Sequence, residues 1–103
     1  MAAVKVRNKT ATDLNGESAS FPLTGNETKT LASLDLKNDG ACRGFLFYHL
    51  EENNVELLDE SDQVISTTTQ SSWDREVDGE VVETINETYR DDIKELNLYI
   101  NLL

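Results

Sequence analysis

The sequence has very little of the chemistry on which most enzyme and metal sites depend. Its 103 residues include one cysteine, Cys42, one histidine, His49, and one proline. A single cysteine excludes an internal disulfide, and one histidine with one cysteine cannot supply the three or four close ligands of a usual structural zinc site. Neither a phosphate-binding loop nor a GxGxxG, GxSxG or HExxH pattern occurs. We therefore predict no zinc site and no bound cofactor.

The one cysteine and the one histidine are also badly spaced for a catalytic pair. On a strand, a separation of seven residues places Cys42 and His49 on opposite faces. On a helix they share a face but lie about 10.5 Å apart along the axis, beyond hydrogen-bond reach. We interpret Cys42 as a small buried thiol and His49 as an imidazole at the border of a strand, and we predict that the protein is not an enzyme.

Long apolar runs are missing as well. No stretch approaches the roughly 20 apolar residues needed to cross a bilayer. Residues 1–10 lack the apolar core of a signal peptide. We expect synthesis in the cytoplasm and no membrane partner.

Positive charge is scarce and unevenly distributed. Twenty acidic residues against nine basic ones give a formal net charge of −11. Residues 1–50 sum to +1, and residues 51–103 sum to −12. Phosphate backbones repel such a chain, so we expect no direct nucleic-acid binding. The acidic half is either a solvated face that keeps the protein soluble or a surface used in recognition.

The sequence does contain alternating patterns that are typical of short strands. Val4 and Val6 alternate with charged residues. A further predicted strand places Thr28, Thr30, Ala32, Leu34 and Leu36 on one face. The run Arg43–Leu50 is the most apolar segment and is typical of a buried central strand, although a buried helix of the same length fits it. Further short strands are predicted at 55–58 and 64–69.

The last 25 residues carry two periodicities at once. Spacings of three and four predict one helical face, made of Val82, Ile85, Tyr89, Ile93, Leu96, Ile100 and Leu103. From residue 96 to residue 102, apolar side chains also occupy every second position, as in a strand with one buried side. We favour a final strand from about residue 95, preceded by a strand or a short helix around 80–90.

About seven short strands at this spacing predict an all-β protein. We expect one β-rich domain over residues 1–103, with a two-sheet sandwich or jelly-roll-like arrangement. The alternative is an α+β fold with a C-terminal helix around 80–103.

Three residues are candidates for a protein interface. Trp73 lies in the segment 70–74, which we predict as a loop or a sheet edge, where its ring anchors a partner beside Arg75. The alternative is a ring folded over the rim of its own core. Tyr99 belongs to the polar face of the predicted final strand, which lies against a neighbouring subunit unless that strand only covers its own core.

A loose calcium site is the one metal hypothesis that remains open. Its oxygen ligands would come from Asp59, Asp62 or the pair Asp91 and Asp92, although no segment fits the EF-hand pattern. Ordinary solvated turns are the alternative for all of these carboxylates.

Two segments and the general character of the chain carry a family resemblance. The opening strand VKVRNKT (residues 4–10) and the segment GNETKTLASLDL (residues 25–36) occur in a small polar chain without catalytic or targeting motifs. The chain resembles small accessory proteins of tailed bacteriophages, such as head decoration (cement) or tail-associated proteins. That resemblance implies a non-enzymatic virion protein that forms a homo-oligomer and binds other virion proteins or copies of itself. It transfers no functional residue to this sequence.

The charge distribution supports an alternative function from another class. Fifteen carboxylates in residues 51–103 suit an acidic inhibitor that imitates DNA and occupies the nucleic-acid site of a host enzyme. Binding by such an inhibitor weakens steeply with salt, whereas a virion accessory protein is expected to show a modest salt dependence.

Overall fold

The computed structural model describes residues 2–15 and 22–103, which form two parts of different character. We call the β-hairpin of residues 69–89 the arm, and the rest of the described chain the body. The molecule measures 59 × 29 × 28 Å, and its Cα radius of gyration is 17.1 Å. A compact chain of this length has a radius of gyration of about 13 Å. The arm projects and makes the protein elongated.

The body contains a three-stranded antiparallel sheet with β1 (Lys5–Asn8) at its centre. On one side β1 pairs with β4 (Thr28–Thr30), and on the other with β5 (Val55–Leu58). Val6 and Asn8 are fully buried, while Lys5 and Arg7, which alternate with them, are half exposed. The strands predicted at the start of the chain and at 55–58 are therefore confirmed.

The strand predicted from Thr28 to Leu36 is shorter than expected. The strand β4 ends at Thr30, and a short 3-10 helix follows at Leu31–Ser33. Because the strand alternation ends where the 3-10 helix begins, Leu31 is buried, and Ala32, which the predicted strand would have placed on the face shared with Leu34 and Leu36, is exposed. A second, separate ladder joins β2 (Leu14–Asn15) to β3 (Pro22–Leu23).

The apolar run that we predicted as a central strand is instead part of a helix, α1 (Gly40–Glu51). The Asp39 side chain caps its first turn by accepting a hydrogen bond from the Cys42 N–H. Cys42, Leu46 and Leu50 are buried at spacings of four, which forms one helical stripe. The segment contains no β-branched residue, and its three aromatic residues are the only ones in it of a type that favours an extended backbone.

The predicted final strand is also a helix, α2 (Asp91–Asn101). Leu96 is buried, and Ile93 and Ile100 are half-buried beside it. The buried side chains therefore follow the helical spacing of three and four and not the alternation of a strand. Leu98, one of the alternating leucines, is exposed. Two acidic residues in the first turn favour a helix start at this point.

Seven strands are present in residues 2–15 and 22–103, but they do not build the predicted sandwich. They divide into three separate antiparallel sheets, with β6 and β7 forming the arm, and two helices complete an α+β arrangement. The helix expected in the α+β alternative begins at Asp91, since residues 80–89 are strand. The strand expected at 64–69 is reduced to one bridge between Val64 and Leu58.

One hydrophobic core lies in the body, between the three-stranded sheet and the two helices. Its fully buried members include Val6, Leu23, Leu31, Leu36, Leu46, Leu50, Leu57 and Leu96. No arm residue belongs to the buried core of the described chain. Within residues 2–15 and 22–103, neither helix is long and apolar enough to cross a membrane.

Candidate interaction surface

The arm is a long two-stranded ribbon, with β6 at Thr69–Val77 and β7 at Glu80–Tyr89. A two-residue turn joins the strands, and both of its residues have positive φ, 53° at Asp78 and 82° at Gly79. The sequence Asp-Gly suits this turn, whose twist matches that of the strands. At about 3.3 Å per residue, the arm is about 30 Å long.

A β-bulge interrupts β7 but leaves β6 regular. Arg75 lies opposite Glu83, and the next residue, Glu76, lies opposite Val81. Val82 is therefore an extra residue on β7. The bulge increases the local twist and disrupts the ladder on the β7 side.

One face of the arm presents aromatic and aliphatic side chains to solvent. Trp73 lies opposite Ile85, and Tyr89 lies opposite Thr69 on the same face. Trp73 is 49% exposed and Tyr89 is 50% exposed. Exposed aromatic rings on a projecting ribbon are typical of a contact surface.

The charged groups on this face pair within the arm. Arg75 Nη1 lies 3.2 Å from Glu83 Oε1, with both side chains more than half exposed, so this ion pair contributes little stability. The Tyr89 hydroxyl donates a hydrogen bond to the Glu87 carboxylate. This bond, together with the charge of Glu87, raises the pKa of Tyr89.

The opposite face of the arm is polar. Gln70 lies opposite Thr88, Ser72 lies opposite Asn86, and Asp74 lies opposite Thr84, whose hydroxyl donates to Asp74 Oδ1 at 2.8 Å. The arm therefore has one face on which Trp73, Ile85 and Tyr89 lie beside charged side chains, called the apolar face below, and an opposite face of mainly polar side chains.

The structure brings two of the three predicted interface residues together. Trp73 and Arg75 are two residues apart on β6, so they share the apolar face of the arm. The segment 70–74 is a regular strand rather than a loop, and the Trp73 ring does not belong to the core. Tyr99 lies on α2, is half-buried and packs against the core of the body.

Sequence reasoning missed Arg90, which joins the arm to the body. Its guanidinium donates to both oxygens of the Asp92 carboxylate, at 3.1 and 2.9 Å, and to the Leu50 carbonyl oxygen at 2.8 Å. Asp92 is fully buried, and its hydrogen bond to the guanidinium raises the pKa of Arg90. This contact ties the residue after β7 to the end of α1 and to the first turn of α2.

A second contact holds the other strand of the arm at its base. The Thr69 hydroxyl donates a hydrogen bond to the Asp91 carboxylate. Both strands are therefore attached to the start of α2.

Cys42 and His49 lie two turns apart on α1, rather than on a strand as predicted. Burial, with the charges of Asp39 and Asp35, raises the pKa of the Cys42 thiol, so the reactive thiolate is disfavoured. The His49 ring lies edge-on to Phe45, with ring centroids 4.5 Å apart. Burial lowers the pKa of His49.

Each of the carboxylates considered for calcium has a partner at one or both of its oxygens, but the buried Asp59 Oδ2 has no hydrogen-bond partner among the described residues. Asp59 Oδ1 accepts hydrogen bonds from two backbone N–H groups of its own turn, and Lys5 Nζ lies 2.5 Å from Asp62 Oδ1. Asp91 and Asp92 bind Thr69 and Arg90. In the described ranges, no three histidine, cysteine or carboxylate side chains come together as metal ligands.

In comparisons with known proteins, no family model, curated protein or solved structure matches the chain.

Proposed function

We propose that this protein is a non-enzymatic interaction protein, an accessory component of a tailed-phage virion on the capsid or the tail. It works by contact, through the arm, with other virion proteins or with copies of itself. The single observation that carries the proposal is the exposed apolar face of a 21-residue hairpin that contributes nothing to the core.

The energetics of a two-stranded ribbon support a contact role. An isolated hairpin is at best marginally stable in water, and a third strand or a packed helix is usually needed. The described chain supplies neither, because β6 and β7 pair only with each other. A partner that covers Trp73 and Ile85 would supply the missing layer. Tryptophan, tyrosine and arginine, all present on this face, are the residue types that contribute most to binding energy at interfaces.

The charge density of the arm favours this function over DNA mimicry. Residues 69–89 contain six acidic residues and one basic residue, a net charge of −5. A DNA duplex of the same length, about 30 Å, carries about 18 phosphate charges. The arm has less than a third of that density. It also presents an apolar face, which a phosphate backbone lacks.

Virion composition provides the test of this proposal. We expect the chain to co-purify with virions on a density gradient, in a fixed ratio to a capsid or tail protein measured by quantitative mass spectrometry. Loss of a large aromatic anchor, Trp73→Ala, is expected to weaken attachment by at least about tenfold. Tyr48→Ala is the matched control, because Tyr48 is a 58% exposed aromatic residue on the body.

Two results would contradict the proposal. One is the absence of the chain from the virions. The other is equal attachment of the two variants, which would show that the arm is not the contact surface. Capture instead by a host nucleic-acid-binding enzyme, with steep weakening by salt, would support the inhibitor alternative.

A further inference from the structure

The two outer edges of the arm differ in how they are protected against pairing with another strand. Natural sheets protect exposed edges with charges, prolines, bulges or short strands. The β7 edge carries the bulge at Val82 and three glutamates, Glu80, Glu83 and Glu87. The β6 edge is nine regular residues long, without lysine or proline, and its charges sum to −1. β6 carries Asp74, Arg75 and Glu76 but no bulge, so it is the less protected of the two edges.

The turn determines which backbone groups of β6 point away from β7. In a two-residue turn, the flanking residues Val77 and Glu80 form a hydrogen-bonded pair. Because the direction of N–H and C=O groups alternates along a strand, the odd-numbered residues of β6 bond to β7. The free groups belong to the even-numbered residues Gln70, Ser72, Asp74 and Glu76.

These free groups restrict how a second β6 strand can pair. In an antiparallel pair, even residues must lie opposite even residues for hydrogen bonds to form. A two-fold axis at Trp73, the midpoint of β6, satisfies this condition and uses the whole strand. The opposed pairs are then Ser72 with Asp74, Ser71 with Arg75, Gln70 with Glu76, and Thr69 with Val77.

The side chains are complementary in this register. Each β6 carboxylate faces a hydroxyl or an amide donor, Asp74 facing Ser72 and Glu76 facing Gln70. The next register towards the tip would place Asp74 opposite Asp74, and like charges directly opposite destabilise a sheet. The register centred on Trp73 therefore combines full length with no like-charge contact.

We propose that a second copy of this chain pairs with β6 in this register, so that two arms form one four-stranded sheet. This inference rests on the proposed contact role of the arm and names a partner for it. The two Trp73 rings become neighbours on the apolar face, and each hairpin gains the third strand that it lacks. The two chains carry charge of the same sign, so added salt is expected to strengthen the dimer by screening their repulsion.

Two proline variants at one cross-strand pair test the choice of edge. Ser72→Pro removes an N–H that points away from β7, so it blocks the β6 edge and leaves the hairpin ladder intact. Asn86→Pro does the same at the β7 edge, because Asn86 lies directly opposite Ser72. Sedimentation velocity on the full chain is expected to show dimers for the wild type and for Asn86→Pro, and monomers for Ser72→Pro.

Charge variants at the same position test the register and do not depend on proline. Ser72→Lys faces Asp74 of the second copy and is expected to tighten the dimer by at least about threefold, whereas Ser72→Asp is expected to loosen it by a similar factor. Circular dichroism of each variant confirms that it remains folded. Equal effects of lysine and aspartate at this position contradict the register.

The outcomes separate this inference from the proposed function. A wild-type chain that stays monomeric at millimolar concentration, or a dimer lost through Asn86→Pro instead of Ser72→Pro, overturns the pairing. If a chain that does not pair through β6 is nevertheless found on virions, the proposed function stands without the pairing. A β6-paired dimer that is absent from virions supports the pairing and contradicts the virion role.

Discussion

The body and the arm both contain antiparallel strands but have opposite relations to solvent. The body buries leucines from both helices and from the three-stranded sheet, whereas nineteen of the 21 arm residues are exposed. The body is stabilised by its own apolar burial, and the arm by a ladder of backbone hydrogen bonds with little packing. Stability thus comes mainly from one part of this short chain, and the proposed contact surface lies on the other.

Hydrogen exchange is expected to show the largest contrast between the two parts. In dilute solution, where the chain is monomeric, arm amides open locally, while amides near Leu46 exchange only through global unfolding. With a global stability of several kcal/mol, we expect exchange rates to differ by about a thousandfold or more. Equal protection of both parts, measured by mass spectrometry or NMR, would contradict the division.

The second-largest expected contrast is between the effects of a core substitution and an arm substitution on the free energy of unfolding. Leu46 is fully buried, so Leu46→Ala should lower the free energy of unfolding by about 2–5 kcal/mol. Trp73→Ala should change it by less than about 1 kcal/mol, because the ring is half exposed and outside the core. Urea unfolding followed by circular dichroism measures both. A larger loss for Trp73→Ala would mean that the arm supports the body.

Removing the Arg90 contacts that join the arm to the body is expected to have an intermediate effect on the free energy of unfolding. Arg90→Ala leaves the buried Asp92 carboxylate without its guanidinium partner, at an expected cost of about 1–3 kcal/mol. The double variant Arg90→Ala with Asp92→Ala should be more stable than Arg90→Ala alone, since it removes the unpaired buried charge. If the double variant is the less stable of the two, the cost does not come from Asp92.

The smallest expected effect is a pH dependence confined to the body. Burial holds the pKa of His49 below its ordinary value of 6.5, so the folded state binds its proton less readily than the unfolded state. The resulting stability is present above pH 6.5 and is lost as the pH falls through the lowered pKa. In urea titrations between pH 8 and pH 5, wild type should lose more stability than His49→Gln. Parallel losses would show that His49 does not contribute.

The sequence patterns predicted strands well where alternation and turn residues agreed, and less well where a short apolar run fitted two structures. β1 and β5 were predicted correctly because their alternation is local. The helix α1 was predicted as a strand from its hydrophobicity, although its lack of β-branched residues and the cap at Asp39 favoured a helix. The arm has its own local signal, Asp78-Gly79 between Val77 and the nearby Val81 and Val82, which indicates a hairpin.

The candidate surface was predictable only in part, for a physical reason. Trp73 and Arg75 share a face because residues two positions apart on a strand point to the same side. The contact of Arg90 with the Leu50 carbonyl joins residues 40 positions apart, so no local pattern indicates it. The self-complementary register of β6 can be derived only when two things are known: that the segment is a strand, and which of its N–H groups point away from β7. Only the structure of the paired hairpin provides both.

The extra residue at Val82 has a consequence for assembly size. A ribbon with two equally open edges can add copies at both sides and grow without limit into a fibre. With the bulge on β7, a sheet built from two arms ends in two distorted, glutamate-bearing borders, so growth stops at a closed pair. In the proposed pairing, the extra Val82 therefore limits the assembly to two copies, and a chain lacking Val82 is the form in which fibres should be sought.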